Sequence, residues 1–282
     1  MILRTRINLI LLPLLLSCDK SKEVFQAFKN SQDYNVPLWK DDQKNKVALM
    51  VFPHPDDEIV CAGSVAQLKA NGWQVNLITL TKGKAEEKEI RNAEWKEAVK
   101  KLKFDNYEIF DLINNSWDNV MSNKIEFWYN NSDSIANVIM RSINKYKPSI
   151  IFTYDSVIGA YGHPEHRMTS QVINRIFQKN KNDSSFTVQS VLQITLPEKM
   201  EVLMFGKAPS YKNAIEITGY KTLPEPTVAF NILPYWFYKH NASKSYVSQE
   251  STLRKFYLWP DAADTLIHYN SFDREYYYET KR

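Results

Sequence analysis

The apolar run Val47–Phe52 passes directly into Pro53-His54-Pro55-Asp56-Asp57-Glu58, and this junction constrains the fold more than any other stretch of the chain. Val47, Leu49, Met50, Val51 and Phe52 have the apolar continuity of a strand covered on both faces. Beyond the acidic residues, Ile59, Val60, Ala62, Val65, Ala66 and Leu68 recur at helical spacing until Asn71-Gly72 ends the pattern. A histidine and three carboxylates therefore fall where a strand ends and a helix begins, the edge at which open α/β sheets bind ligands. Pro55 has a fixed φ and disfavours helical backbone at His54, so the chain itself aims the imidazole. An acidic cap and first helical turn would account for the carboxylates through the helix dipole, but not for the histidine.

The pattern continues as α/β. Trp73–Leu80 is rich in β-branched and apolar residues and predicts a second strand, right-handed to the first through the intervening helix. After the loop Thr81-Lys82-Gly83-Lys84, a helix is expected from about Glu86 to Leu102, with Ile90, Trp95, Ala98, Val99 and Leu102 facing inward. Arg91 and Glu94 on it have the spacing of a surface ion pair. Tyr107–Leu112 reads as a third strand, Ile135 to Tyr146 as an amphipathic helix ended by Pro148, and Ser149–Tyr154 as a fourth strand. A second polar cluster follows in Gly162-His163-Pro164-Glu165-His166, again after a strand and before a helix. Three of the five histidines lie in these two loops, which parallel strands would bring to one sheet edge. His240 and His268 sit among aromatic residues and read as packing or surface groups.

Past residue 185 the reading changes to strands at Thr187–Thr195 and Ala214–Thr218, many prolines and aromatics, and a helix from about Asn241 to Tyr257. This part could wall a cleft above the sheet. At the other end, Arg4 and Arg6, the apolar Leu9–Leu16 and Leu15-Leu16-Ser17-Cys18 have the architecture of a secretory signal closing in a lipobox-like cysteine. Residues 1–18 are thus expected to be a signal peptide, 19–45 a polar tether, and 46–282 one folded domain on a membrane outside the cytoplasm, held by a lipidated Cys18 in a bacterial cell envelope. Only two cysteines occur in 282 residues, which excludes a disulfide framework. The 36 basic and 32 acidic residues are mixed along the chain, so no nucleic-acid partner is expected.

Two imidazoles and a carboxylate are a common donor set for a catalytic metal with an open position, and His54, Asp57 and His166 can supply it. Asp56 and Asp57 are adjacent in a turn, so their side chains diverge, and one can bind while the other faces the attacking water as a base. A metal there supplies a nucleophilic water at neutral pH and polarises a carbonyl. His163 is expected opposite as a cationic donor to the developing oxyanion or the leaving amine. The chemistry expected is metal-assisted hydrolysis.

These motifs resemble those of the LmbE/PIG-L family of zinc-dependent de-N-acetylases. Pro53–Glu58 is similar to the family's Ala-His-Pro-Asp-Asp-Glu and Gly162–His166 to its Gly-His-x-x-His. Leu80–Gly83, Arg91-x-x-Glu94 and Tyr246-Val247-Ser248-Gln249 fall where the family has a Thr-x-Gly loop, an Arg-x-x-Glu helix and a Ser-Gln helix. The resemblance implies an α/β Rossmann-like three-layer sandwich, mostly parallel, with a C-terminal β/α extension. It implies Zn2+ (or another divalent metal such as Fe2+) on His54, Asp57 and His166, Asp56 as general base and His163 as the polarising group. Arg91 would contact substrate, with Glu58 and Glu165 supporting the ligands from behind. The implied substrate is an N-acetylated amino sugar or glycan. Pro53, Glu165 and Lys84-Ala85 depart from the commoner family residues, the last of them where substrate is read. Two other readings fit part of the pattern: a non-haem iron oxygenase, through His54-x-Asp56 and a distant histidine, and a surface lipoprotein that binds glycans without catalysis.

Overall fold

A computed structural model of the chain describes residues 36–256 and 265–282. The signal segment, Cys18 and most of the expected tether lie outside the described residues. The strands are β1 (Val47–Phe52), β2 (Gln74–Thr79), β3 (Asn106–Ile109), β4 (Ile150–Tyr154), β5 (Ser190–Thr195), β6 (Val228–Asn231) and β7 (Arg274–Lys281). The helices are α1 (Ala62–Ala70), α2 (Lys88–Leu102), α3 (Trp117–Met121), α4 (Glu126–Asn130), α5 (Ser132–Tyr146) and α6 (Pro164–Asn180). In the C-terminal part come α7 (Glu198–Phe205), α8 (Pro209–Thr218), α9 (Trp236–Ser243), α10 (Glu250–Lys255) and α11 (Thr265–Ser271).

One sheet runs β3-β2-β1-β4-β5-β7-β6. The first five strands in that order are parallel, and β7 is antiparallel to both neighbours. The period of two along β1 divides its side chains between two cores. Ala48, Met50 and Phe52 pack with Val65 and Leu68 of α1 and with Trp95 and Val99 of α2. Leu49 and Val51 pack with Ile139 and Ile143 of α5 and with Val172 and Ile176 of α6. The result is a three-layer α/β sandwich whose antiparallel extension is the C-terminal part. From β1 the chain builds outward to β2 and β3, then returns across β1 to lay down β4 and β5. The loops after β1 and β4 therefore leave the sheet in opposite directions and open a crevice between them, the usual ligand position in a doubly wound sheet. A parallel sheet of this kind is also not the all-β framework that the iron-oxygenase reading requires.

Several local expectations change. Ala214–Thr218 is the end of helix α8, not a strand: Pro209 sits in its first turn and Gly219 closes it in the left-handed conformation at φ 74°. The helix expected from Asn241 to Tyr257 is divided into α9, a short 3-10 turn at Val247–Gln249, and α10. Ile90 points outward, 58% exposed, and Arg91 takes its inward place on α2. The end of the polar tether is part of the domain. The Trp39 amide donates to the Ala229 carbonyl at 2.7 Å, the Ala229 amide to that of Pro37, and the Trp39 ring stacks on Phe230.

Candidate metal centre

The two histidine loops meet at the crevice. His54 Nδ1 lies 3.3 Å from His166 Nε2, and the Asp57 carboxylate spans the pair, with Oδ2 3.3 Å from His54 Nδ1 and Oδ1 3.3 Å from His166 Nε2. In a tetrahedral site the ligand atoms are separated by about 1.6 times the bond length, so zinc bonds of about 2.0–2.1 Å correspond to edges of about 3.3–3.4 Å. The donor set present thus fits such an ion in type, and the two imidazole nitrogens fit it in spacing. His163 also lies close, and His54, His163 and His166 each offer a ring nitrogen within 4.8 Å of the others. His163 Nδ1, however, accepts from the Glu165 amide at 3.3 Å as the cap of α6.

Each donor is held from behind. His54 Nε2 meets Glu165 Oε2 at 2.5 Å, which leaves Nδ1 facing His166 and Asp57. The other oxygen of Glu165 accepts from the backbone and side-chain amides of Asn115. Asp57 accepts from the His54 amide at 2.8 Å and from the Tyr154 hydroxyl at 3.0 Å, while the Tyr154 ring stacks on His166 at 3.8 Å between centroids. Burial opposes a charged imidazole at His54, yet the Asp57 and Glu165 carboxylates outweigh it and lift its pKa to about 10. Burial alone would raise the Asp57 pKa, but the imidazoles of His166 and His54 hold it far below the usual carboxylate range. The pocket is built around a positive charge, which a proton or a metal can supply.

Asp56 turns the other way. It occupies the left-handed region at φ 90°, a strained conformation for a side chain of this kind, and its Oδ2 pairs with Arg91 at 3.0 Å. Burial raises its pKa to about 6 against the pull of Arg91. Arg91 also donates to the Pro55 carbonyl at 2.5 Å. It is 8% exposed and lines the cleft while it holds the loop and the carboxylate. Glu94 is not its ion-pair partner but accepts from the amide and hydroxyl of Ser248. Glu58 is fully buried against the Tyr246 hydroxyl at 2.5 Å, and burial lifts its pKa to about 8. His163 departs from its expected cationic form. Burial, with His166 and His54 beside it, pushes its pKa well below the ordinary histidine value, so it is a neutral imidazole.

The second loop is stiffened by its own backbone. Asp155 accepts from the amides of Val157, Ile158, Gly159 and Ala160 and pins the turn after β4. Gly162 has φ 93°, and a Cβ there would collide with the Ser210 carbonyl, so only glycine brings the next residue, His163, past α8. Tyr154, Asp155 and Asn115 were not singled out from the sequence. Tyr154 carried one usable signal, its place at the carboxyl end of a strand. An open cleft of about 850 Å3 leads to the centre, lined by His54, Asp56, Arg91, Trp117 and His163 on one side and by Lys207 and Gln249 of the C-terminal part on the other.

Residues 49–177, which include both loops, match the PIG-L family, described as GlcNAc-PI de-N-acetylase. A 1D-myo-inositol 2-acetamido-2-deoxy-alpha-D-glucopyranoside deacetylase of Thermobifida fusca is 28% identical over 160 residues, 48% of this chain and 56% of its own length. A similarly named protein of Catenulispora acidiphila is 27% identical over 151 residues, 45% of this chain and 46% of its own. The chain spans about half the length of the curated relatives it matches. Among solved structures, the N,N'-diacetylchitobiose deacetylase from Pyrococcus horikoshii superimposes with a TM-score of 0.55 over 92% of each chain at 15% identity. The A40926 pseudoaglycone deacetylase Dbv21 superimposes with a TM-score of 0.57 over 84% of this chain and 98% of its own, at 14% identity. These two likenesses establish the fold, and the match of residues 49–177, which takes in both histidine loops, is to the PIG-L family of de-N-acetylases.

Proposed function

We propose that the protein is a metal-dependent hydrolase that removes the N-acetyl group from an N-acetylglucosamine-type sugar or glycoconjugate. The observation that carries this is the pair His54 Nδ1 and His166 Nε2 at 3.3 Å, with the Asp57 carboxylate 3.3 Å from each through its two oxygens and a separately anchored carboxylate beside them. We assign the metal to these three rather than to the three histidines because His163 already caps α6 through Nδ1. Zinc suits two imidazoles and one carboxylate, and Fe2+ is the other divalent metal the same donors accept. When bound, the metal polarises the amide carbonyl and makes water a nucleophile at neutral pH.

The chain's own groups do the rest. Asp56, held by Arg91, takes the proton of the attacking water and stands ready to return it to the departing amine. His163, neutral with Nδ1 accepting, carries its proton on Nε2 and donates a hydrogen bond to the oxygen on which charge develops. Glu165 fixes the His54 ring, and Tyr154 fixes Asp57. The relatives' names point to amino-sugar acetamides, and the wide cleft has room for a sugar ring. We further place the enzyme outside the cytoplasm on a lipidated Cys18. A Cys18→Ser variant should then move from the membrane fraction to the soluble one.

The test is acetate release from a panel of N-acetylglucosamine-containing glycans, with and without a chelator, alongside metal analysis. Chelator-sensitive acetate release supports the assignment. Release from none of them, together with hydrolysis of an unrelated amide, would redirect it.

A further inference from the structure

Behind the metal centre lies a second cavity that the removal of an acetyl group does not need. It measures about 130 Å3 and reaches from Asp56 and Asp57 back beneath the C-terminal extension. Its wall is apolar, with Val60, Ile194, Leu196, Met200, Leu223 and Phe272 among the lining residues. Asp56, Tyr161, Met204, Thr252 and Phe256 line both this chamber and the open cleft, so the two spaces abut beside the reacting centre. The rings of Tyr161 and Phe256, stacked at 4.5 Å, form the partition. Among the described lining residues, Lys239 is engaged: it pairs with Glu275 at 2.5 Å and donates to the Val60 carbonyl, while Arg274 lies 3.7 Å from Asp273.

Protein interiors are close-packed, so a recess with an apolar lining of this kind favours an apolar guest. A cavity of about 150 Å3 takes up a benzene-sized guest, and at about 130 Å3 this one has room for a chain of roughly four to six carbons. An acetyl group places a single methyl beyond its carbonyl and would leave the chamber unfilled. The wide cleft takes the sugar, and the narrow apolar chamber abuts it at Asp56 and is lined by Asp57 as well. A substrate bound across the centre has its sugar in the first and its acyl group aimed at the second.

We propose that the chamber is an acyl-chain pocket, and that the enzyme hydrolyses amino-sugar amides of short unbranched fatty acids in preference to acetamides. This rests on the amidohydrolase reading and deepens it. The reaction is unchanged in its balance: water adds its oxygen to the carbonyl carbon, the C–N bond breaks, the amine leaves with a proton, and the carboxylate carries the chain away.

The experiment compares N-acetyl-, N-butyryl-, N-hexanoyl- and N-octanoylglucosamine as substrates, and in parallel measures calorimetric binding of acetate and hexanoate to the metal-loaded protein. Burying one methylene is worth about fourfold in affinity. The expected result is a rise in kcat/KM of about that factor per carbon up to hexanoyl, a halt by octanoyl, and hexanoate binding tighter than acetate. Leu196→Phe and, independently, Ile194→Phe fill the chamber from two sides. Each should keep acetamide turnover and lose the gain with chain length. Acetate release with no gain along the series overturns the pocket and leaves the deacetylase reading standing. A gain that survives in both variants overturns its location. If no amide is cleaved, tighter hexanoate binding that Leu196→Phe abolishes supports the pocket while removing the hydrolase reading, and equal binding of the two acids removes the pocket as well.

Discussion

The chain divides into two regions that support the site in different ways. In residues 47–180 every group facing the metal position sits within a dozen residues after a parallel strand: His54, Asp56 and Asp57 follow β1, and His163 and His166 follow β4. The C-terminal part supplies none of the five, yet it braces the loops at long range. Tyr246 reaches Glu58 across 188 residues, Ser248 reaches Glu94 across 154, and Glu275 accepts from the amides of Gly63 and Ser64 at the start of α1. The first region thus holds the reactive groups and the second holds them still. Substitutions in the first should change chemistry at little cost in stability, and those in the second should do the reverse.

The sharpest break would come from the two adjacent aspartates. Asp57→Asn should lose its metal on dialysis and all turnover with it, because an amide is a poorer ligand and removes the charge that offsets the cation. Asp56→Asn should keep its metal and still lose about 10²–10⁴-fold in rate, the usual worth of a positioned base. Metal content and kcat measured on both variants decide it. Metal loss in Asp56→Asn with retention in Asp57→Asn would reverse the assignment.

Next in size is a substitution far from the chemistry. Glu275→Ala leaves the buried Lys239 ammonium unpaired and takes the acceptor from two helix-start amides, at a cost of about 3–5 kcal/mol in denaturant unfolding. The double variant Lys239→Met/Glu275→Met should recover most of that, since well-packed apolar residues often replace a buried ion pair without loss. If Glu275→Ala instead lowered kcat with stability unchanged, the two regions would not divide as described.

What was legible in the sequence follows the same division. The strand and helix order of residues 47–180 could be read because burial on both faces of a parallel sheet leaves long apolar runs, and because strand-end loops concentrate polar groups. The reach of Tyr154 to Asp57 could not, since it joins residues 97 apart by a contact that leaves no local pattern. Arg91 and Glu94 suggested an ion pair by their spacing, and only tertiary structure turns them to Asp56 and Ser248. Ile215 and Ile217 suggested a strand by alternation within α8, where a proline and a glycine at the two ends were the better guide. The polar composition of most of residues 19–45 concealed that the apolar Val36–Trp39 within them pairs its backbone with β6.

A smaller effect is expected at the joint between the regions. Tyr246→Phe removes the hydroxyl that Glu58 accepts and should cost about 0.5–1.5 kcal/mol of stability, the net worth of one hydrogen bond. Metal content should be unchanged, since the Glu58 carboxylate bonds Tyr246 and none of the donor groups. Loss of the metal in this variant would show that the C-terminal part shapes the ligands directly.

The smallest effect concerns pH and lies wholly within the C-terminal part. Glu201 of α7 is buried, accepts from the Leu223 amide at 2.9 Å and bonds the Tyr211 hydroxyl. Burial outweighs those two hydrogen bonds and raises its pKa to about 7, above the ordinary glutamate value of 4.5. Between those two values the folded chain holds a proton that the unfolded chain has released, so stability falls as pH rises through the window. The contribution is fully present below the unfolded value and is gone once the pH has passed the folded one. Glu201→Gln mimics the protonated form, so its melting temperature should change less between pH 5 and pH 8 than that of the unsubstituted protein. Acetamide turnover, referred to the folded fraction, should follow the same pH profile in both proteins, because Glu201 touches none of the groups at the metal position. A variant whose melting temperature tracked pH as steeply as the parent would remove Glu201 as the source of the slope. A shifted activity profile would show that the two regions are coupled through α7.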